Sequence, residues 1–319
     1  MSGYHKSKLM KKKLGVMPDW GLLPPSMKWN LCRAKLSRGC WDWLGWEYRS
    51  DWSKAIHEGR TPLPLWDGRS KVKLWVIAEE GIGDEIMAAS CFDDLFAVNP
   101  DTVVECDARL LPVYRRTWGD RFTPRVNEWS ARQGTVIPLL DLLPMFRKSP
   151  ADCPGRPYLK PDPERRAYWR EVLGGYIGVA WSSRHGKIKM RPIPGAASLQ
   201  YGQDVPEWCF DPGIDPIAGF ADQIDLISAL DRVVSCPMSV VHVAGALGVP
   251  VDVIMPPTGT VGDISNALHW RYECGLPFYA SAKVHRNWDT VKSSLPSPVT
   301  GTSVTGATSS NRAGTCRMT

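Results

Sequence analysis

The 319-residue chain has no apolar run approaching the roughly 18–20 residues that a membrane-crossing helix needs, so no helical span is expected. Its first residues, MSGYHKSKLMKKKLGV, lack the apolar core and small-residue cleavage site of a secretory signal. Nine cysteines, an odd number, include no C-x-x-C pair and no metal-ligand spacing. That pattern excludes a disulfide framework and points to reduced thiols in the cytoplasm. A dinucleotide fingerprint is also missing: where G-x-G-x-x-G would place its third glycine, the run GIGDEI has Ile86. No Walker lysine follows, and no loop carries a pair of aspartates suited to a metal. Neither a resident metal nor a cofactor is expected.

What is present is ample apolar material, 43% of residues, which excludes a disordered or fibrous chain. Net charge is +6, and its location is uneven: residues 1–60 hold twelve Lys/Arg against five Asp/Glu, and the remainder is nearly balanced. The same segment holds Trp20, Trp29, Trp41, Trp43, Trp46 and Trp52. A basic, tryptophan-rich arm can bind nucleic acid through phosphate contacts and base stacking. The simpler reading is a solvated basic tail followed by a helix that packs its tryptophans on the core.

After a Pro/Gly-rich connector, RTPLPLWDGRS, apolar runs alternate with stretches of helical periodicity. KLWVIA, TVVEC, TVIPLL, YIGVAWS, ASLQ, RVVS and VPVDVIMP read as strands. DEIMAASCFDDLFAV, ARLLPVYRRTW, DPERRAYWREVLG, ADQIDLISALD and SVVHVAGALG read as helices. Such alternation implies parallel sheets and an α/β architecture. We expect two doubly wound units, residues 61–173 and 174–287, facing a cleft. Residues 1–60 form an extension, and residues 288–319 run from a return helix into a Ser/Thr/Gly/Pro-rich tail expected to be disordered.

In open parallel sheets, ligands bind beyond the carboxyl ends of the strands. Two motifs fall there: AEEGIGDEI after the first strand, and SCPMSVVHVAG opening a helix of the second unit. In the first, Gly81 and Gly83 permit a tight turn and Asp84 falls at a helix N-terminus. Its carboxylate suits a cap on backbone N–H groups as well as an active-site role, and residue chemistry leaves the two level.

Several stretches in order resemble a known family. LSRGCWDWLGWEYRSDW is similar to the last helix of a tetratricopeptide repeat, and PLWDGRSKVKLWVIAEEGIGDEI to a connector followed by a strand–turn–helix. YIGVAWSSRHGKIKMRPIP is similar to the strand and basic loop that open a second domain. SLQYGQD and ADQIDLISALDRVVSCPMSVVHVAGALGVPVDVIMP match a Ser-Leu-Gln strand and a His-x-Ala-Gly-Ala-Leu-Gly helix, and WRYECGLPFYASAKVHRNWDTV matches the family's ending. Over about residues 30–295 the chain resembles the tetratricopeptide-linked glycosyltransferase domains related to glycosyltransferase family 9, the heptosyltransferase-like enzymes.

The resemblance implies a GT-B fold, with the acceptor on the first Rossmann-like unit and a nucleotide-diphosphate sugar, a substrate and not a cofactor, on the second. It implies that Asp84 is the base that takes the acceptor's proton, on a turn made by Glu80, Gly81 and Gly83. It assigns the donor to the helix from Ser239, with His242 and Gly245. The basic residues Arg184, Lys187, Lys189 and Arg191 would neutralise the diphosphate without a metal. Glu79 and Glu80 are secondary acid–base candidates, one of which anchors the turn, and Trp181 packs the cleft or stacks on the nucleotide base. The chain departs from the family at Pro237 and Met238, where Asp-Thr is usual, and is short between Arg191 and Ser198. The acceptor stays open among glycan, protein and modified DNA. The alternative is a catalytically silent GT-B module that uses its basic arm on nucleic acid or a protein partner.

Overall fold

The computed structural model describes residues 19–36, 39–125, 132–153, 155–173, 176–183, 186–187, 192–200, 205–215, 218–255, 277–285 and 287–292. The first unit is built on four parallel strands, β1 (Leu74–Ile77), β2 (Thr102–Cys106), β3 (Phe122–Pro124) and β4 (Thr135–Pro138), in the order β3-β2-β1-β4. Leu74 lies opposite Thr102 on one side and Thr135 on the other. Beyond β4 the chain at Leu65 adds one more parallel bridge, to Val136.

The second sheet comprises β5 (Ile177–Ala180), β8 (Ala196–Ser198), β9 (Cys209–Phe210), β10 (Arg232–Ser235), β11 (Val251–Ile254) and β12 (Ala282–His285). Its order, β12-β11-β10-β5-β8-β9, is parallel throughout. A separate two-stranded antiparallel ribbon, β6 (Ser182–Ser183) and β7 (Gly186–Lys187), leaves the end of β5. Counted within its own unit, the second sheet has the order 3-2-1-4-5-6 of a dinucleotide-binding fold, and the first has 3-2-1-4. The two-unit α/β architecture expected from the alternation is therefore present. Central strands are buried on both faces, which is why they read as near-continuous apolar runs.

The helices are α1 (Pro25–Leu36), α2 (Asp51–His57), α3 (Ile82–Ala88), α4 (Phe92–Val98) and α5 (Leu111–Trp118). They continue with α6 (Leu142–Phe146), α7 (Pro163–Leu173), α8 (Phe220–Ala229), α9 (Ser239–Leu247) and α10 (Asp289–Lys292). The single helix read over DEIMAASCFDDLFAV is in fact α3 and α4 joined by a 3₁₀ turn at Ala89–Cys91. The buried Arg147 guanidinium takes the Ser90 carbonyl, withdrawing it from the helical ladder. The sequence reading also missed β3, β9 and β12, short strands near the sheet edges whose residues carry no strong alternation. Helix α9 ends where expected, on Gly248, whose φ of 76° suits glycine.

The extension is not peripheral. Cys32, Leu36 and Trp46 belong to the same buried cluster as Leu74, Ile86 and Phe92, and Ile56 packs with Ile77 and Val136. Trp29, Trp43 and Trp46 meet edge to face, with Trp43 and Trp46 at 4.9 Å between ring centroids. These tryptophans serve packing, and the basic residues 1–18 ahead of them lie outside the described residues.

Candidate functional site

The carboxyl end of β1 runs directly into the turn 78–83. Glu79, the first carboxylate there, points inward and is only 6% exposed. The Arg49 guanidinium from the extension grips it through Nε (3.1 Å) and Nη2 (2.5 Å), and the Leu140 N–H donates to it at 2.9 Å. The same guanidinium donates from Nη1 to Asp141 at 2.6 Å, and His57 Nε2 meets the other Asp141 oxygen at 2.7 Å. Burial opposes the Arg49 charge, but Glu79 and Asp141 more than offset it. For Asp141, Arg49 and His57 outweigh burial and hold the carboxyl below its ordinary value. Glu79 is thus the anchor of the turn and is not presented to the cleft.

Glu80 is exposed and, among the described residues, is the one non-glycine with a positive φ, 58°. A left-handed glutamate stores backbone strain, and such residues gather at functional sites. The conformation is pinned by Arg125, which donates to the Glu80 carbonyl at 3.0 Å and pairs with the buried Glu85. Glu85 in turn accepts the Asp107 N–H at 2.8 Å, tying the turn to the end of β2. Partial desolvation, then the negative charges of Asp84 and Glu79, raise the Glu80 carboxyl.

Gly81 is the N-cap of α3, and Asp84, at the third helical position, accepts the Gly81 N–H through Oδ2 at 3.2 Å. The capping bond is therefore real, on a half-buried side chain that stays at the seam between the units. Gly83 defines that seam. A Cβ there would lie 2.8 Å from His242 Cδ2 and 3.5 Å from Ser239 Cα, so α3 and α9 touch at backbone range.

Helix α9 is apolar nearly all round, and residues 240–246 are buried, as a helix sandwiched between its own sheet and the other unit must be. Its N-cap, Met238, is extended and supplies no side-chain cap. His242 is 4% exposed, and its Nδ1 lies 2.9 Å from the Tyr279 hydroxyl. Tyr158 donates to the Ile86 carbonyl at 2.7 Å, and burial raises both phenols well above their ordinary value, so both stay neutral. Gly245 has a packing role: a Cβ there would lie 2.3 Å from Tyr279 Cγ.

The structure thus brings Gly83, Ser239 and His242 to one seam, with Asp84 next to Gly83 in α3, Glu80 and Gly81 on the turn before it, and Gly245 one turn further along α9. Arg184, Lys189 and Arg191 lie outside the described residues, and of Lys187 only the backbone, in β7, is described. Trp181 is half-buried beside Trp208, 6.4 Å between centroids. Sequence reasoning missed Arg49, Arg125 and Gln200. Gln200 accepts from the N–H groups of Trp181 and Ser182 at 2.9 and 2.8 Å and returns a bond to the Ser182 carbonyl, bracing the loop after β5. Sequence could not assign these three their roles, since the partners named lie 18 to 92 residues away. Among the described residues no three His, Cys, Asp or Glu side chains cluster to hold a metal, and no helix is long and apolar enough to cross a membrane.

No protein-family model matches the chain. It is 28% identical over 265 residues to Protein FlbA of Caulobacter vibrioides, covering 65% of this chain and 44% of that protein, so it spans less than half of that relative's length. Among solved structures it is similar to a glycosyl transferase family 9 protein from Veillonella parvula (TM-score 0.46, 12% identity, 71% of this chain and 90% of that one). It is also similar to the ADP-heptose lipopolysaccharide heptosyltransferase II of E. coli (TM-score 0.40, 14% identity, 68% of this chain and 91% of that one).

Proposed function

We propose that the chain is a GT-B glycosyltransferase of the tetratricopeptide-linked, family 9 type, moving a sugar from a nucleotide-diphosphate donor to an acceptor hydroxyl. The observation that carries this reading is the meeting of two topological switch points. In the first sheet the order reverses between β1 and β4, and in the second between β5 and β10. Ligands of such sheets bind in the crevice beyond those strand ends. The helices that follow β1 and β10 are the pair in contact at Gly83 and His242.

Asp84 is then the base, at the acceptor side of the seam, with Glu80 beside it. The N–H groups at the start of α9 and Ser239 hold the leaving diphosphate, because free N–H groups and the helix dipole favour anions. His242, on the same helix, recognises the donor through its ring. The basic loop at 184–191 supplies the remaining positive charge.

Asp84→Asn tests this assignment. It keeps the shape and the cap on Gly81, so melting and donor affinity are expected to stay near wild type while turnover of a nucleotide-sugar panel falls about 10²–10⁴-fold. Normal turnover with a lowered melting temperature would make Asp84 a cap alone. A wild-type chain that neither turns over nor is thermally stabilised by any nucleotide sugar would instead be the catalytically silent module.

A further inference from the structure

A pocket of about 340 Å³ opens where the extension meets the edge of the first sheet, and Trp43, Trp46, Trp66, Glu47, His57 and Asp141 line it. That volume is in the range of small-ligand sites. All three indole N–H groups are already committed, to the carbonyls of Arg147 (3.1 Å), Leu140 (3.1 Å) and Ser70 (2.9 Å). The tryptophans therefore offer the pocket carbon surface and no donors. Asp141 is likewise committed, with one oxygen on Arg49 and the other on His57. The polar character left for a ligand resides in the half-buried Glu47 carboxylate and the His57 ring, whose side chain is 30% exposed.

Aromatic walls with a carboxylate suit either a cation or a sugar ring. The Trp46 wall decides between them. The Arg49 guanidinium already lies 5.2 Å from the Trp46 ring centroid, so a second cation on that indole would meet like charge. The Asp141 hydrogen bond, against burial and the Arg49 charge, raises the His57 pKa, and the Glu47 carboxylate adds to the rise, which works in the same direction. A neutral polyhydroxylated ring fits both parts: its C–H face lies on indole carbon, and its hydroxyls donate to Glu47 and accept from His57.

We propose that this pocket is a carbohydrate subsite that seats one neutral sugar ring. Asp141 belongs to the turn after β4, at the first sheet's switch point, and Leu65 lies one strand spacing further out. The pocket thus stands within about 10 Å of β1 by strand spacing alone, and Arg49 links its wall directly to Glu79. Its role as the acceptor's seat rests on the transfer reading above, whereas its affinity for a sugar does not.

The test is saturation-transfer NMR on the full chain, with methyl α-glucopyranoside, methyl α-mannopyranoside and methyl N-acetyl-β-glucosaminide as probes and no nucleotide sugar present. Transfer to the ring protons of at least one glycoside is expected. Affinity should fall about threefold to tenfold in Glu47→Gln, the loss of one hydrogen bond, and at least as far in Trp43→Ala. Glu47→Gln keeps the inquiry open if Trp43→Ala fails to fold. The proposal is overturned if no glycoside receives saturation, if Glu47→Gln binds like wild type, or if tetramethylammonium binds the wild type with the same dependence on Glu47. Glycoside binding without nucleotide-sugar turnover would retain the subsite and remove the transfer reading. Turnover without glycoside binding would do the reverse.

Discussion

Arg49 joins two buried carboxylates, and its side chain and that of Glu79 are 2% and 5% exposed. Removing one partner of a buried pair leaves the other charge without compensation, at a cost of about 3–5 kcal/mol. Arg49→Met is therefore expected to lower unfolding free energy by that amount in urea titrations. Arg49→Lys should rescue little of it, because an ammonium cannot reproduce the fork that spans Glu79 and Asp141. A wild-type midpoint in Arg49→Met would show that the pair contributes nothing net. The same network makes stability depend on pH. His57 has its folded pKa raised above 6.5, so its contribution is complete below about pH 6.5 and is lost as pH rises through the folded value. Asp141 is lowered from 3.8, so its contribution is present above that pH and lost as pH falls through its folded value. Melting temperatures between pH 6 and 9 should decline more steeply for wild type than for His57→Gln, and parallel curves would contradict the assignment.

The contact between α3 and α9 is set by Gly83, and Gly245 sets the packing of α9 on Tyr279. Gly83→Ala would gain helix propensity of about 1 kcal/mol, yet its Cβ would meet His242 at 2.8 Å. Overpacking of that kind typically costs about 1–3 kcal/mol, so a net loss of stability is expected in thermal denaturation, and a rise would mean that the helices part easily. Gly245→Ala meets the Tyr279 ring at 2.3 Å and should lose more. The helices and central strands were legible because their apolar runs are long and bounded by turn residues such as Gly248. The 3₁₀ break at Ala89–Cys91 was not, since it depends on Arg147, more than fifty residues downstream. His242 shows the same limit at the site. Its motif marked it, but its partner Tyr279 joins it only in three dimensions.

The molecule as a whole behaves as two parallel-sheet units with the extension built into the first. Ties between the units include the Tyr158 N–H to the Ala246 carbonyl at 2.9 Å and Arg116 to the buried Asp225 at 3.2 Å. Deleting residues 1–60 would remove Cys32, Leu36, Trp46 and Ile56 from the core and leave Glu79 and Asp141 without Arg49. Against a total stability of about 5–15 kcal/mol, that loss should abolish soluble folded protein. Recovery of a cooperatively melting 61–319 fragment would show instead that the extension is dispensable.

The sequence alone determined the alternation of strand and helix, hence the parallel α/β architecture, because those signals lie within ten or so residues and answer to burial on one face or two. It also marked the β1 turn and the α9 helix, since strand-end glycines and a helix start are local features. Only the tertiary structure decided which carboxylate of the turn faces inward. Glu79 and Glu80 are adjacent and chemically alike, and the choice between them is made by Arg49 from the extension and Arg125 from the end of β3. Burial and pairing of charge depend on which distant cation arrives, and that is a property of packing, not of spacing along the chain.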